Sequence, residues 1–145
     1  MRAGLYGMLL GAALLLVGCG EQQWLDHKGN TLSRADLQGR WMVVNYWAEW
    51  CAPCRHELPE FNHLAENPEV VVLGVNYDGI TGEALSDLAD EMDIRFAVVG
   101  QDFADSFGLE HPQVLPTTYV FNPEGELLHS LAGPQTEETV LALMQ

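Results

Sequence analysis

The strongest constraint on this chain is a hand-over at residues 41–58. Trp41-Met42-Val43-Val44-Asn45-Tyr46-Trp47 is apolar at every position but one, the pattern of a strand covered on both faces. Shortly after it the chain reads Cys51-Ala52-Pro53-Cys54, and Cys54, Leu58, Phe61, Leu64 and Ala65 follow at helical spacing. A buried strand therefore runs almost directly into a helix that opens with two cysteines. Thiols three residues apart in a first helical turn can close a disulfide within that turn. Cys51 lies where free N–H groups and the helix dipole stabilise a thiolate, and Pro53 suits a position whose N–H would have no partner anyway. The expectation is an exposed nucleophile at Cys51 and a shielded resolving thiol at Cys54.

The cysteine count sharpens this. The 145 residues hold three cysteines, Cys19, Cys51 and Cys54. That is too few for a disulfide-stapled scaffold and too few for a four-cysteine zinc site. A single domain with its own apolar core suits a chain of this length that is 48% hydrophobic. A formal net charge of −15 excludes a nucleic-acid partner, since phosphate needs a basic footprint.

The remaining elements follow from pattern. Trp24 to Leu32 reads as two short strands around His27-Lys28-Gly29-Asn30, and Ser33 caps a helical turn ending near Leu37. The cysteine helix is expected from about Cys51 to Glu66, with a kink where Pro59 loses its bond to the Arg55 carbonyl. Val70 to Tyr77 is a second buried strand, and Ala84, Leu85, Leu88 and Met92 form a helical stripe capped by Thr81. Thr117 to Phe121 and Leu127 to Leu131 flank Asn122-Pro123-Glu124-Gly125 as a hairpin, and a helix closes the chain from about Thr136 to Met144. The implied fold is α/β: a mixed central sheet with helices on both faces, built on a right-handed βαβ unit.

On a wheel at 100° per residue with Cys54 at zero, the apolar arc runs from about 280° to about 40°. His56 and His63 fall near 200° and 180°, away from the thiols. Glu57 falls near 300°, inside the apolar arc and one turn beyond Cys54. A carboxyl there is desolvated, its pKa rises, and it can take or give the resolving thiol's proton.

The N-terminus reads as an address. Met1-Arg2 precedes 15 uncharged residues, Gly4 to Gly18, too short a stretch for a membrane span and typical of a signal peptide. Leu16-Val17-Gly18-Cys19 resembles the lipobox of bacterial lipoproteins. The resemblance implies a signal peptide over residues 1–18, a lipidated Cys19, a tether over 19–23 and a domain over 24–145. Four extended tether residues reach only about 14 Å, so the domain is expected close to its membrane. The resemblance implies an extracytoplasmic compartment, periplasmic in a Gram-negative host, that permits disulfides.

Trp47-Ala48-Glu49-Trp50-Cys51-Ala52-Pro53-Cys54 resembles the active-site string of the thioredoxin fold, and the resemblance covers nearly all of residues 24–145 in element order. Cys51-Ala52-Pro53-Cys54-Arg55-His56-Glu57-Leu58-Pro59 is similar to the C-x-P-C-R-x-E-x-P signature of the TlpA/ResA branch. That branch comprises membrane-tethered thiol-disulfide reductases, some serving cytochrome c maturation. The resemblance implies that Cys51 and Cys54 are the redox pair and that Glu57 is an active-site acid. It implies that Pro116, in Leu115-Pro116-Thr117-Thr118, is a cis proline packed against the pair. Thioredoxin itself carries a buried Asp where this chain has Asn45, which cannot titrate and leaves Glu57 as the buried proton carrier.

Trp50, Ala52, Pro53 and the Leu115 backbone are the expected substrate contacts, the last by pairing with an extended segment as an added strand. The function implied is a monomeric, lipid-anchored thiol-disulfide oxidoreductase with protein disulfide substrates, a membrane electron donor, and no cofactor beyond its own disulfide. Two other readings stay open at this point. One is an oxidase on the same fold, since direction depends on reduction potential. The other is a copper-delivery or metal-sensing module using His111, although this chain has C-x-x-C rather than C-x-x-x-C. A peroxidase of the peroxiredoxin kind expects Thr where Ala48 stands.

Overall fold

The computed structural model describes residues 20–145. Cys19 and the signal-peptide stretch lie outside the described residues. The elements are β1 (Gln23–Leu25), β2 (Thr31–Ser33), α1 (Arg34–Leu37), β3 (Trp41–Trp47), α2 (Ala52–Leu64), β4 (Val70–Asn76), α3 (Gly82–Glu91), β5 (Ala97–Val99), α4 (Gln101–Ser106), β6 (Thr117–Phe121), β7 (Leu127–Ala132) and α5 (Glu137–Ala142). Five strands form one sheet in the order β5-β4-β3-β6-β7. The pairs β3–β4 and β4–β5 are parallel, and β3–β6 and β6–β7 are antiparallel. This is the mixed sheet with helices on both faces that the sequence implied, with β3 at its centre.

Alternation along β3 divides the core. Val43 and Trp47 belong to the apolar cluster shared with α2, α3 and α5, while Met42, Val44 and Tyr46 belong to the cluster shared with β1, α1 and α4. Asn45 falls on the α2 side by the same alternation. Two right-handed parallel crossovers, through α2 and then α3, put both helices on one face. On the opposite face Trp24 packs edge-on to Phe103, with ring centroids 4.9 Å apart.

The structure adds two elements to the expected order, β5 and α4. Their brevity hides them: β5 has three residues and α4 six, too few to carry a period. The β1–β2 turn covers the free edge of β5. His27 N donates to the Val98 carbonyl at 2.8 Å, and Val98 N donates to His27 Nδ1 at 3.0 Å.

Local signals succeed where a side chain does the work. Ser33 makes a full capping box with Asp36, and Thr136 accepts from Thr139 N at 3.2 Å. Others are corrected. Thr81 sits at the α3 N-cap, but its side chain makes no capping hydrogen bond. Ala84 faces solvent, and Ala89 takes the buried place beside Leu85 and Leu88. The cysteine helix ends at Leu64 rather than Glu66, with Pro59 inside it as expected. The hairpin has the expected turn, with Gly125 at φ 84°, and β7 extends to Ala132.

One glycine on β4 is fixed by packing. A Cβ on Gly74 would stand 2.9 Å from Trp47 Nε1 and 3.0 Å from Phe96 Cε2. Trp47 is fully buried and Phe96 nearly so, so neither ring has room to retreat. Gly74→Ala should destabilise the domain by about 1–3 kcal/mol in urea unfolding, with an unchanged denaturant slope.

Candidate active site

The redox pair sits where β3 hands over to α2. Cys51 is the N-cap of α2, in extended conformation, and its Sγ accepts the Cys54 backbone N–H at 3.2 Å. The cap position is thus filled by a sulfur, at a helix end that would stabilise a thiolate there. Pro53 lies in the first turn, as expected. Cys51 and Cys54 form a disulfide with their Cα atoms 5.3 Å apart. One expectation is corrected here: Cys51 is only 4% exposed, against 0% for Cys54. Cys51 belongs to the buried cluster against which Tyr77, Ile80 and Leu115 pack.

Glu57 is 2% exposed, in the seam between α2 and the sheet. Its Oε1 accepts Asn45 Nδ2 at 2.6 Å, and its Oε2 accepts the Gln135 backbone N–H at 2.9 Å. Asn45 Nδ2 also donates to Thr118 Oγ1 at 3.2 Å, across the pair that the β3–β6 register sets opposite each other. Burial pushes the Glu57 pKa up from 4.5 to about 7, and the bonds from Gln135 and Asn45 pull against that rise. A carboxyl one turn from the resolving thiol is thereby set to exchange a proton near neutral pH.

The Leu115–Pro116 peptide bond is cis, as the resemblance implied. The Pro116 carbonyl accepts Gly133 N–H at 2.8 Å, and Thr117 Oγ1 donates to the Val114 carbonyl at 2.7 Å. The stretch from Gly133 to Gln135 therefore holds both the proline loop and Glu57. Pro116 is buried, Leu115 is half-buried, and Val114 is 53% exposed beside them.

Trp50 is 65% exposed, fixed by a 2.9 Å bond from Nε1 to Asp78 Oδ2 and by an edge-on contact with Tyr77. Ala52 and Pro53 are exposed in the first turn of α2, next to Trp50. These residues form an uncharged rim outside the disulfide.

Sequence reasoning missed Gln135, Thr118 and Val114. Gln135 acts through its backbone N–H, which no residue type signals. Thr118 is visible only once the β3–β6 register is known. Val114 could have been found as the apolar neighbour of the Leu115-Pro116 landmark. The histidines lie where the wheel put them: His56 is exposed, and His63 pairs with Glu137 on α5. His111 packs on Tyr77 at 4.1 Å, and its Nε2 lies 3.1 Å from the Tyr77 carbonyl. Among the described residues, no group of three or more His, Cys, Asp or Glu could hold a metal ion.

A disulfide at the start of a helix, a cis-proline loop and a buried carboxyl on a mixed five-stranded sheet define a thioredoxin-like protein. Residues 20–130 match the AhpC/TSA family, and the chain belongs to that family. It is 36% identical over 108 residues to the thiol:disulfide interchange protein HelX of Rhodobacter capsulatus, covering 73% of this chain and 60% of that one. It is 28% identical over 120 residues to the thiol-disulfide oxidoreductase ResA of Bacillus subtilis, covering 79% and 65%. The chain thus spans about three fifths to two thirds of the length of these relatives. Among solved structures it is similar to the pneumococcal exposed lipoprotein thioredoxin Etrx1 of Streptococcus pneumoniae, with TM-score 0.68, 22% identity, and 85% and 96% of the two chains covered.

The raised Glu57 pKa sets a direction for stability. The unfolded chain releases this proton near 4.5 and the folded chain near 7. The folded state is therefore favoured most below pH 4.5, and that advantage is lost as pH rises to 7. The loss is of order 3 kcal/mol. Denaturant titrations of oxidised wild type and Glu57→Gln across this window should diverge by that amount, with the variant lacking the slope.

Proposed function

We propose that this protein is an exported, lipid-anchored thiol-disulfide oxidoreductase that reduces protein disulfides in a membrane-associated setting such as cytochrome c maturation. The observation that carries the reading is the Cys51–Cys54 pair at the α2 N-terminus, backed by the buried Glu57. Similarity to the thiol:disulfide interchange protein HelX and the thiol-disulfide oxidoreductase ResA supports thiol-disulfide exchange, and the lipobox-like Leu16-Val17-Gly18-Cys19 supports the anchor at Cys19.

The chemistry follows from the site. A membrane electron donor first reduces the pair. The Cys51 thiolate, held by the helix N-terminus and the Cys54 N–H, attacks a substrate disulfide, forms a mixed disulfide and releases one substrate sulfur as thiolate. Cys54 passes its proton to Glu57, and its thiolate attacks Cys51. The pair closes, and the second substrate sulfur leaves with the electron pair of the broken bond. Trp50, Ala52, Pro53, Val114 and Leu115 form the surface on which the substrate lies, with the Leu115 backbone pairing to an extended segment.

Cys54→Ser, expressed in the native host, should accumulate mixed disulfides on Cys51 that mass spectrometry resolves as protein adducts. Cys51→Ser should accumulate none. A Cys54→Ser protein without adducts would overturn the reading. Cys19→Ser should abolish incorporation of labelled fatty acid and release the domain from the membrane fraction. Retention of label would place the lipid elsewhere.

A further inference from the structure

Asn45 holds an unpaired atom in the most buried part of the site. Its Nδ2 serves two acceptors, Glu57 Oε1 at 2.6 Å and Thr118 Oγ1 at 3.2 Å, while its Oδ1 is buried with no hydrogen-bond partner. Asn45 and Thr118 are themselves fully buried. An orphaned carbonyl oxygen beside a proton carrier calls for a physical reason.

The two oxygens of Glu57 are not equivalent. Oε2 accepts the Gln135 backbone N–H, which can only donate. Oε1 faces Asn45 Nδ2. An ionised carboxylate accepts from both, and the arrangement is satisfied. A protonated carboxyl presents one O–H. The Gln135 N–H keeps Oε2 as the carbonyl oxygen, so the proton falls on Oε1 and meets an N–H at 2.6 Å. Two donors then face each other.

Turning the Asn45 amide by half a revolution removes the conflict. Oδ1 then stands where Nδ2 stood and accepts the Glu57 O–H. Thr118, a hydroxyl rotor that accepts in one arrangement, donates to Oδ1 in the other. Nδ2 moves to the site Oδ1 vacates, so either orientation leaves one amide atom unpaired. The count of buried orphans does not decide between them, and the protonation state of Glu57 does.

We propose that Asn45 is the positioning residue for the Glu57 proton carrier: its amide donates to the carboxylate and turns over to accept from the carboxylic acid. Glu57 then keeps one place relative to Cys54 in both states. In the closing step the Cys54 thiol proton goes to Glu57 Oε1, the Cys54 lone pair forms the bond to Cys51, and the substrate sulfur leaves with the electrons of the mixed disulfide. This use of the proton rests on the thiol-disulfide reading above; the amide turn itself does not.

No charged side chain among the described residues contributes to this seam. β3 offers Asn45, β6 offers Thr118, and the loop before α5 offers Gln135. On α2 the cysteine pair lies one turn back. Glu60, one turn on, accepts the Glu137 N–H at 3.0 Å, and His63 pairs with Glu137 at the surface.

The test is a pH titration of oxidised, isotope-labelled protein by side-chain NMR. The Glu57 Cδ signal should titrate near pH 7. The Asn45 Nδ2 protons and Cγ should move with the same midpoint, the hydrogen-bonded Nδ2 proton being present above it and lost below. Asn45 signals that stay flat through the Glu57 midpoint would overturn the turn-over. In a Cys51→Ser background, adding Asn45→Leu removes the amide without adding a charge or a new donor. It should shift the midpoint of the Cys54 alkylation profile upward by at least one pH unit, a tenfold rate change at fixed pH. An unchanged profile would overturn the positioning role. Wild-type protein that exchanges with no protein disulfide, yet shows titrating Asn45 signals, would overturn the function and leave the amide turn standing.

Discussion

A carboxyl group held away from water between a helix and a sheet imposes the tightest condition on this structure. Glu57 cannot carry charge there unless donors reach both of its oxygens, and the two donors come from distant parts of the chain. Asn45 lies 12 residues earlier, on the central strand, and Gln135 lies 78 residues later, beyond the last strand. Rotating α2 about its axis would break both bonds together. The helix that carries the cysteines is therefore oriented by its polar residue as well as by Leu58, Phe61 and Leu64. The stretch from Gly133 to Gln135 adds the cis-proline loop to the same assembly, through the bond from Gly133 N–H to Pro116.

The sheet register makes this possible. Asn45 pairs with Gly74 on one side and Thr118 on the other. A residue with a side chain at position 74 would collide with Trp47, and an apolar residue at 118 would leave the amide with one acceptor fewer. A one-residue slip of β6 against β3 would carry Thr118 away from Asn45 and set Thr117 or Tyr119 opposite it. The register is thus fixed twice, by apolar alternation on both faces and by a polar pair at the centre. The second device discriminates more sharply, because a buried amide is costly to leave unpaired whereas apolar neighbours are interchangeable.

These facts also explain which parts of the site could be read from the sequence. Cys51, Cys54 and Pro116 are legible because their chemistry is bound to residue type: among side chains only cysteine forms a disulfide, and only proline takes a cis bond at low cost. Glu57 is legible because helical periodicity places an acid among apolar residues. Thr118 is not, since its role exists only across the β3–β6 pairing, and Gln135 is not, since a backbone N–H has no signature. The strand β5 and helix α4 escape detection because elements of three and six residues do not complete a pattern. The burial of Cys51 escapes for another reason. It follows from a cluster on which Tyr77, Ile80 and Leu115 pack, residues from separate segments that come together only in the fold.

The polarity of the site runs opposite to that of the domain around it. Outside the disulfide, Trp50, Ala52, Pro53 and Val114 present uncharged surface to solvent. Inside it, Glu57, Asn45 and Thr118 form a polar cluster in the core. The proposed thiol exchange gives a reason for the inversion. On that reading a mixed disulfide would be shielded from competing attack by an uncharged rim while Cys54 closes. Its proton would move without access to bulk water, which a buried acid with a raised pKa allows.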